Sequence, residues 1–342
     1  MAKLHSGGFR SGQMVVFFCI TLIASLISTS PANAAPSLLE VQAKVRDLQE
    51  QATTAAEGAQ EAKVELGKLQ KMLAAVQQQA SQQGASVNAL SSSIGAIAAQ
   101  QYKSGPLSQS LELLFSSDPA LYLSTAGSLE SVTRKKTADL RKFSVATQRL
   151  TATSLTVNDK LALVKAAQAR FNKQLAIANS KLKEAEALLA KLTAAERERL
   201  AKLNDDEEDA DQQKSLADAS KYGTVSGRGG TAIKYALQQI GDKYVFGADG
   251  TTYWDCSGLT MRAFQAAGVS LPHSSRAQYG YGKSVARKDL QPGDLVFFGK
   301  PISHVGIYLG GNRMLHAPRK GSRVKIAEFS LGKKPYIGAR RL

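Results

Sequence analysis

The sequence predicts two structural units: an all-α antiparallel coiled-coil hairpin over 35–204 and an α+β domain over 230–342. Three observations carry this. Apolar residues recur in steps of three and four along two long stretches, the pattern ends near Leu203, and short β-rich runs separated by Gly and Pro follow Gln291. A chain of 342 residues is long enough for both units and a leader.

The first apolar series runs Leu38, Val41, Val45, Leu48, Ala52, Ala55, Ala59, Ala62, Leu66, Leu69, Leu73, Val76, Ala80, then Val87, Leu90, Ile94 and Ile97. Gln83 is its one polar intrusion. The second runs from Leu140 through Phe143, Leu150, Val157, Leu161, Val164, Phe171, Leu175, Ala178, Leu182 and Ala185 to Leu192. Both keep a heptad seam. Between them, Gly105-Pro106, Asp118-Pro119 and Gly127 break helices, which places a tip near 101–133. Two such helices bury both seams by folding back on one another. A parallel dimer through each seam is the alternative; the many alanines, which permit close approach within one chain, favour the hairpin. Leu107, Leu111, Leu113, Leu114, Phe115, Leu121, Tyr122 and Leu123 predict short amphipathic helices at the tip, which cap its core or dock a partner.

The acidic run Asp205-Asp206-Glu207-Glu208-Asp209 and the glycines at 223, 227, 229 and 230 predict a solvated linker over 205–229. At the other end, Lys3 and Arg10, the apolar run Met14–Ile27 and Ala32-Asn33-Ala34 have the order of a secretory signal, expected over 1–34 with cleavage before Ala35. The apolar run is shorter than the roughly 20 residues of a spanning helix. Cys19 lacks the small neighbours of a lipid-anchored cysteine. The expected location is therefore secreted and extracytoplasmic.

Loss of Cys19 with the signal leaves Cys256 as the one mature cysteine, so no intrachain disulfide is possible. A lone thiol in that compartment is a buried small hydrophobe or a reactive group. Charge also points to the C-terminal unit: residues 221–342 hold 19 Lys/Arg against 6 Asp/Glu, a net of +13 out of +16 for the chain. For an exported protein, anionic wall polymers suit this charge better than nucleic acid.

Asp255-Cys256-Ser257-Gly258-Leu259 opens a predicted helix that Gly268 stops, with Asp255 as N-cap. Cys256 then lies in the first turn, where unpaired N–H groups favour a thiolate. His304 opens the predicted strand Val305–Leu309, and His316 ends the next, Arg313–His316, across a tight turn at Gly310-Gly311. Antiparallel pairing brings the two imidazoles together. A cysteine nucleophile needs such a base, and the base an orienting partner. Zinc is the competing use of Cys and His; without a Cys-x-x-Cys or His-x-x-x-His pair, no metal or other cofactor is expected.

From about residue 230 onward the chain resembles the NlpC/p60 peptidases, papain-like enzymes of bacterial cell walls. The resemblance rests on Asp255-Cys256-Ser257-Gly258-Leu259, Leu290-Gln291-Pro292-Gly293-Asp294-Leu295-Val296-Phe297-Phe298, His304-Val305-Gly306-Ile307-Tyr308-Leu309-Gly310 and His316-Ala317. It implies that Cys256 is the nucleophile, His304 the general base and acid, and His316 its orienting residue. It also implies that Tyr244 lines the cleft and donates to the oxyanion, and that Asp255 and Ser257 hold the free amine of a peptidoglycan stem peptide. The implied reaction is hydrolysis of the γ-D-glutamyl to diamino acid bond. Lys243, Phe246, Ala248 and His273 depart from the family's usual proline, tryptophan, glycine and arginine, which puts the cleft's shape in question; for His273 a surface role is expected. More weakly, the segment Tyr102–Leu123 resembles the coiled-coil domains of division-associated wall hydrolases controlled by the membrane complex FtsEX, which implies that the hairpin restrains or delivers the enzyme. Two rival readings are a non-catalytic wall-binding scaffold or activator, against which the Cys256, His304, His316 set argues, and an amidase or acyl transferase on the same fold.

Overall fold

The computed structural model describes residues 36–104, 119–332 and 334–342. The expected signal and the tip's Leu107–Phe115 lie outside the described residues. Two long helices form the hairpin, α1 (Leu38–Ser104) and α2 (Pro119–Ala190). Pro119 suits the first helical turn, where its missing N–H is not needed. The pairing is antiparallel: Val41, Val45 and Leu48 pack with Ala185, whereas Ala55 and Ala56 pack with Ala178. The seam predicted from Leu38 is buried only as far as Leu66, and Leu140 and Leu161 on the second helix are 54% and 37% exposed. The buried alanines at 52, 55, 56, 59 and 62 give close approach near the open end of the hairpin.

Residues 194–219, which include the acidic run expected to be a linker, form a third helix, α3 (Ala194–Ala219). Thr193 and Glu196 close a reciprocal capping box at its start. Its carboxylates are matched rather than left to repel. Lys325 reaches Glu208 at 3.0 Å and Asp211 at 2.7 Å, Arg323 reaches Asp209 at 2.9 Å, and Arg313 reaches Asp218 at 3.1 Å. Buried Ser215 accepts from the Ile326 N–H at 3.0 Å, so α3 docks on the edge of the sheet that follows. Nor is Gly230 a flexible spacer: a Cβ there would stand 1.9 Å from the Val225 carbonyl oxygen. It closes the turn into α4 (Gly227–Leu237).

The C-terminal domain sets α4 and α5 (Cys256–Ala266) against six antiparallel strands. These are β3 (Lys283–Val285), β4 (Leu295–Phe298), β5 (His304–Gly310), β6 (Arg313–His316), β7 (Lys325–Glu328) and β8 (Tyr336–Arg341), in the spatial order β3-β8-β4-β5-β6-β7. A two-residue parallel pair, β1 (Lys243–Tyr244) and β2 (Tyr253–Trp254), precedes α5, and a one-turn helix, α6 (Ser275–Gln278), follows it. Strand β3 escapes the sequence pattern because three residues, two of them exposed, carry no period. The turn between β5 and β6 lies at Gly311-Asn312, with φ of 55° and 60°, one residue later than the glycine pair suggested. Ile233, Trp254, Leu259, Phe264, Leu295, Phe297, Ile307 and Leu315 fill the core between helices and sheet.

Candidate active site

The chain N-terminal to α5 supplies its cap. Asp255 Oδ1 accepts from the Gly258 N–H at 2.7 Å and Oδ2 from the Gly247 N–H at 2.8 Å. Cys256 follows as the first helical residue, and the core holds it with no exposed surface. On the facing sheet, β5 begins with His304, and the N–H of the next residue, Val305, reaches the Cys256 sulfur. His304 Nε2 and His316 Nδ1 lie 2.8 Å apart, joined by the antiparallel pairing of β5 and β6. Among the described residues, His304 Nδ1 and His316 Nε2 have no hydrogen-bond partner. The structure therefore brings together Cys256, His304 and His316, with Asp255 and Ser257 at the same helix start.

Tyr244 ends β1 and is 4% exposed. Its hydroxyl, close to Thr53 of α1, makes no full hydrogen bond, and burial followed by the neighbouring Cys256, Asp255 and Glu57 pushes its pKa well up. His273 departs from the surface role expected of it. Its Nε2 lies 2.9 Å from each Asp255 carboxylate oxygen. Burial opposes its charge, but the Asp255 hydrogen bond and charge outweigh burial and raise its pKa above the ordinary imidazole value. Position 273, where the resembled family usually has arginine, thus sets an imidazole beside Asp255.

A further group enters from α1, which sequence reasoning missed. Glu57 is 2% exposed. Its Oε1 accepts from Ser257 Oγ at 2.8 Å and from the Cys256 Sγ at 3.3 Å; its Oε2 accepts from the Ser275 N–H at 2.8 Å and Ser275 Oγ at 2.7 Å. Thr53 and Gln60, on the same helical stripe, are buried too. The signal was available as a polar series at 53, 57 and 60, the i, i+4, i+7 spacing of one helix face, running beside the alanine seam.

Glu57 changes the chemistry of the thiol. Burial first, then the charges of Glu57 and Asp255, push the Cys256 pKa well above its ordinary value, against the Val305 N–H and Lys334. The helix start alone predicted a thiolate; in this conformation the sulfur is a neutral thiol that donates to Glu57. Burial, then His316 and Lys334, hold His304 well below the usual imidazole pKa, and burial with the nearby cations takes His316 to about 3. Both rings are neutral. For His304 Nδ1 to accept a proton, Nε2 must carry the hydrogen and donate it to His316 Nδ1.

Residues 241–341 match the NlpC/P60 family. A probable endopeptidase of Mycobacterium tuberculosis is 43% identical over 109 residues, which are 32% of this chain and 28% of that protein. A probable endopeptidase of Corynebacterium glutamicum is 38% identical over 125 residues, 36% of this chain and 59% of that one. The probable endopeptidase p60 of Listeria monocytogenes is 45% identical over 91 residues, 26% of this chain and 19% of that one. The match covers less than two thirds of each relative. Among solved structures, the P60 domain of an antigen from M. avium subspecies paratuberculosis is 29% identical, covering 33% of this chain and 93% of that one, with a TM-score of 0.31.

Proposed function

We propose that this chain, whose C-terminal domain is an NlpC/P60 domain, is a peptidoglycan hydrolase: a cysteine peptidase that cuts the γ-D-glutamyl to diamino acid bond of stem peptides. The observation that carries the reading is the 2.8 Å His304–His316 pair with its free Nδ1, one residue from the Val305 N–H that reaches the Cys256 sulfur. In an open cleft His304 takes the thiol proton and the Cys256 sulfur attacks the γ-carbonyl carbon. The Cys256 N–H and the Tyr244 hydroxyl receive the oxyanion. The amide C–N bond breaks, His304 returns the proton to the leaving amine, and water, deprotonated by His304, hydrolyses the thioester. Asp255 and Ser257 bind the stem's free amine in this reading. Export to the cell wall, contact with anionic wall polymers, and a role in daughter-cell separation under FtsEX complete it; they rest on the N-terminal and tip sequences and on the charge of the domain.

The test is extended digestion of defined muropeptides by the full-length chain, with fragments read by mass spectrometry. New fragments that begin with the diamino acid are expected, and none from Cys256→Ala. Released intact stems would assign an amidase instead, and equal cleavage by parent and variant would remove Cys256 from the nucleophile's role.

A further inference from the structure

Tyr244, Asp255, Cys256, Ser257, His304 and His316 are each between 0% and 4% exposed, so no stem peptide reaches the sulfur in this conformation. At the Cys256 end of this set the cover includes α1, whose Glu57 meets Cys256, Ser257 and Ser275. Thr53, Glu57 and Gln60 face the catalytic domain, and Gln60 Nε2 lies 3.2 Å from where a Cβ on Gly247 would stand. On the same face of α1, Glu61 pairs with Arg276 and Glu50 with Lys334 and Arg319; Glu186 of α2 pairs with Lys320. Phe246 packs onto the cluster of Ala55, Ala56 and Ala178.

The position of Glu57 is not what a helix needs for its own packing. A carboxylate buried in a helix interface is unfavourable unless donors surround it. Here four donors do, and all belong to the catalytic domain: the Cys256 sulfur, the Ser257 hydroxyl, and the hydroxyl and N–H of Ser275. One carboxylate thus engages the candidate nucleophile and its neighbour together. It fills the space in front of the sulfur and keeps the proton on it.

The sequence resemblance already implies a restraining hairpin; we propose that the residue which imposes the restraint is Glu57, the latch by which α1 closes the cleft over Cys256. The proposal rests on the peptidase reading above. Opening requires α1 to move off the catalytic domain, since Glu57, which engages the sulfur, is carried by that helix. Activation is then a displacement of the hairpin, with no bond broken in the chain.

The experiment uses full-length protein with Glu57→Ala and, as an isosteric second variant, Glu57→Gln, whose amide has one acceptor oxygen and so cannot accept both from the Cys256–Ser257 side and from Ser275. Two readouts are taken: labelling of Cys256 by biotin-maleimide, followed on the Cys256-bearing peptide, and cleavage of a soluble stem peptide. Circular dichroism confirms that each variant is folded. A rise in labelling of about tenfold or more in both variants, with a parallel rise in cleavage, is expected, since each loses hydrogen bonds to a buried charge. Labelling that rises without any cleavage would keep the latch and overturn the peptidase reading. Labelling and cleavage in folded variants that stay at parental rates would overturn the latch.

Discussion

Replacing His316 with alanine tests the division of labour between the two imidazoles. His304 Nε2 stands 2.8 Å from His316 Nδ1. His304 is 1% exposed, so water does not replace the lost partner. The hydrogen bond joins neutral rings at rest, worth about 0.5–1.5 kcal/mol, and is roughly twice as strong when His304 carries a proton in the transition state. The difference, about 0.5–1.5 kcal/mol, falls on the rate: kcat/KM on a stem peptide is expected to drop roughly twofold to tenfold, at about 1.4 kcal/mol per factor of ten. The orphaned Nε2–H also costs about 1–3 kcal/mol of stability, visible as a lower Tm. A stability loss alone would follow from any core truncation, so the deciding comparisons are chemical. In the Glu57→Ala protein, His316→Asn supplies a carbonyl that accepts from Nε2–H and should recover most of the rate. His316→Asp places a carboxylate there and should move the acid limb of the pH–rate profile upward, because an anion favours imidazolium. Asparagine and alanine variants equally slow, with the acid limb unmoved by aspartate, would show that His316 only fills space.

Two further outcomes are expected. Arg341 holds Asp294 through two 2.7 Å contacts; Asp294 is 1% exposed and Arg341 half-exposed, so Arg341→Ala should lower unfolding stability by about 2 kcal/mol in a denaturant titration, and an unchanged midpoint would refute the assignment. The second concerns pH. Burial first, then Glu57 from α1 and Asp255 at its own helix cap, hold the Cys256 pKa up in the closed form, against the Val305 N–H and Lys334; Tyr244 also neighbours the thiol. A group whose pKa is raised on closing stabilises the closed form below its open-form pKa and loses that contribution as pH rises. Maleimide labelling of the parent should therefore keep climbing past the usual thiol range of about 8.5, whereas Glu57→Ala should level off nearer it; coincident profiles would contradict the coupling.

The strands that hold the chemistry were legible because their turn residues and alternation are local. Asp294–Phe298, the His304 and His316 hairpin and the Cys256 helix start all lie within a residue or two of their predicted places. The acidic segment at 205–209 was misread for a physical reason. Like charges in sequence predict a solvated chain only if no counter-charge faces them, and Arg323 and Lys325 lie more than a hundred residues away. The same pairing changes the meaning of the domain's net charge. Six of the domain's cations, Arg276, Arg313, Arg319, Arg323, Lys325 and Lys334, are engaged with carboxylates of α1 and α3, so contact with anionic polymers falls to its other Lys and Arg residues. Glu57 was invisible for a related reason: a single acidic residue beside an alanine seam looks like a solvated flank until the partner surface is known.

The chemistry of the latch favours reversible closure over permanent packing. A permanent interface gains most from large apolar side chains, each worth about 1.5–3 kcal/mol when fully buried. The face that α1 turns to the catalytic domain offers Thr53, Glu57 and Gln60, with alanines beneath Phe246, and its flanking ion pairs are partly exposed. Exposed pairs of this kind contribute about 0–1 kcal/mol each. On separation every one of these polar groups finds water, and the Glu57 carboxylate regains the hydration that burial denied it. The cleft is thus closed by contacts whose specificity is high and whose net strength is modest, and the seam of Val41, Val45, Leu48 and Ala185 that holds the hairpin itself together lies apart from them.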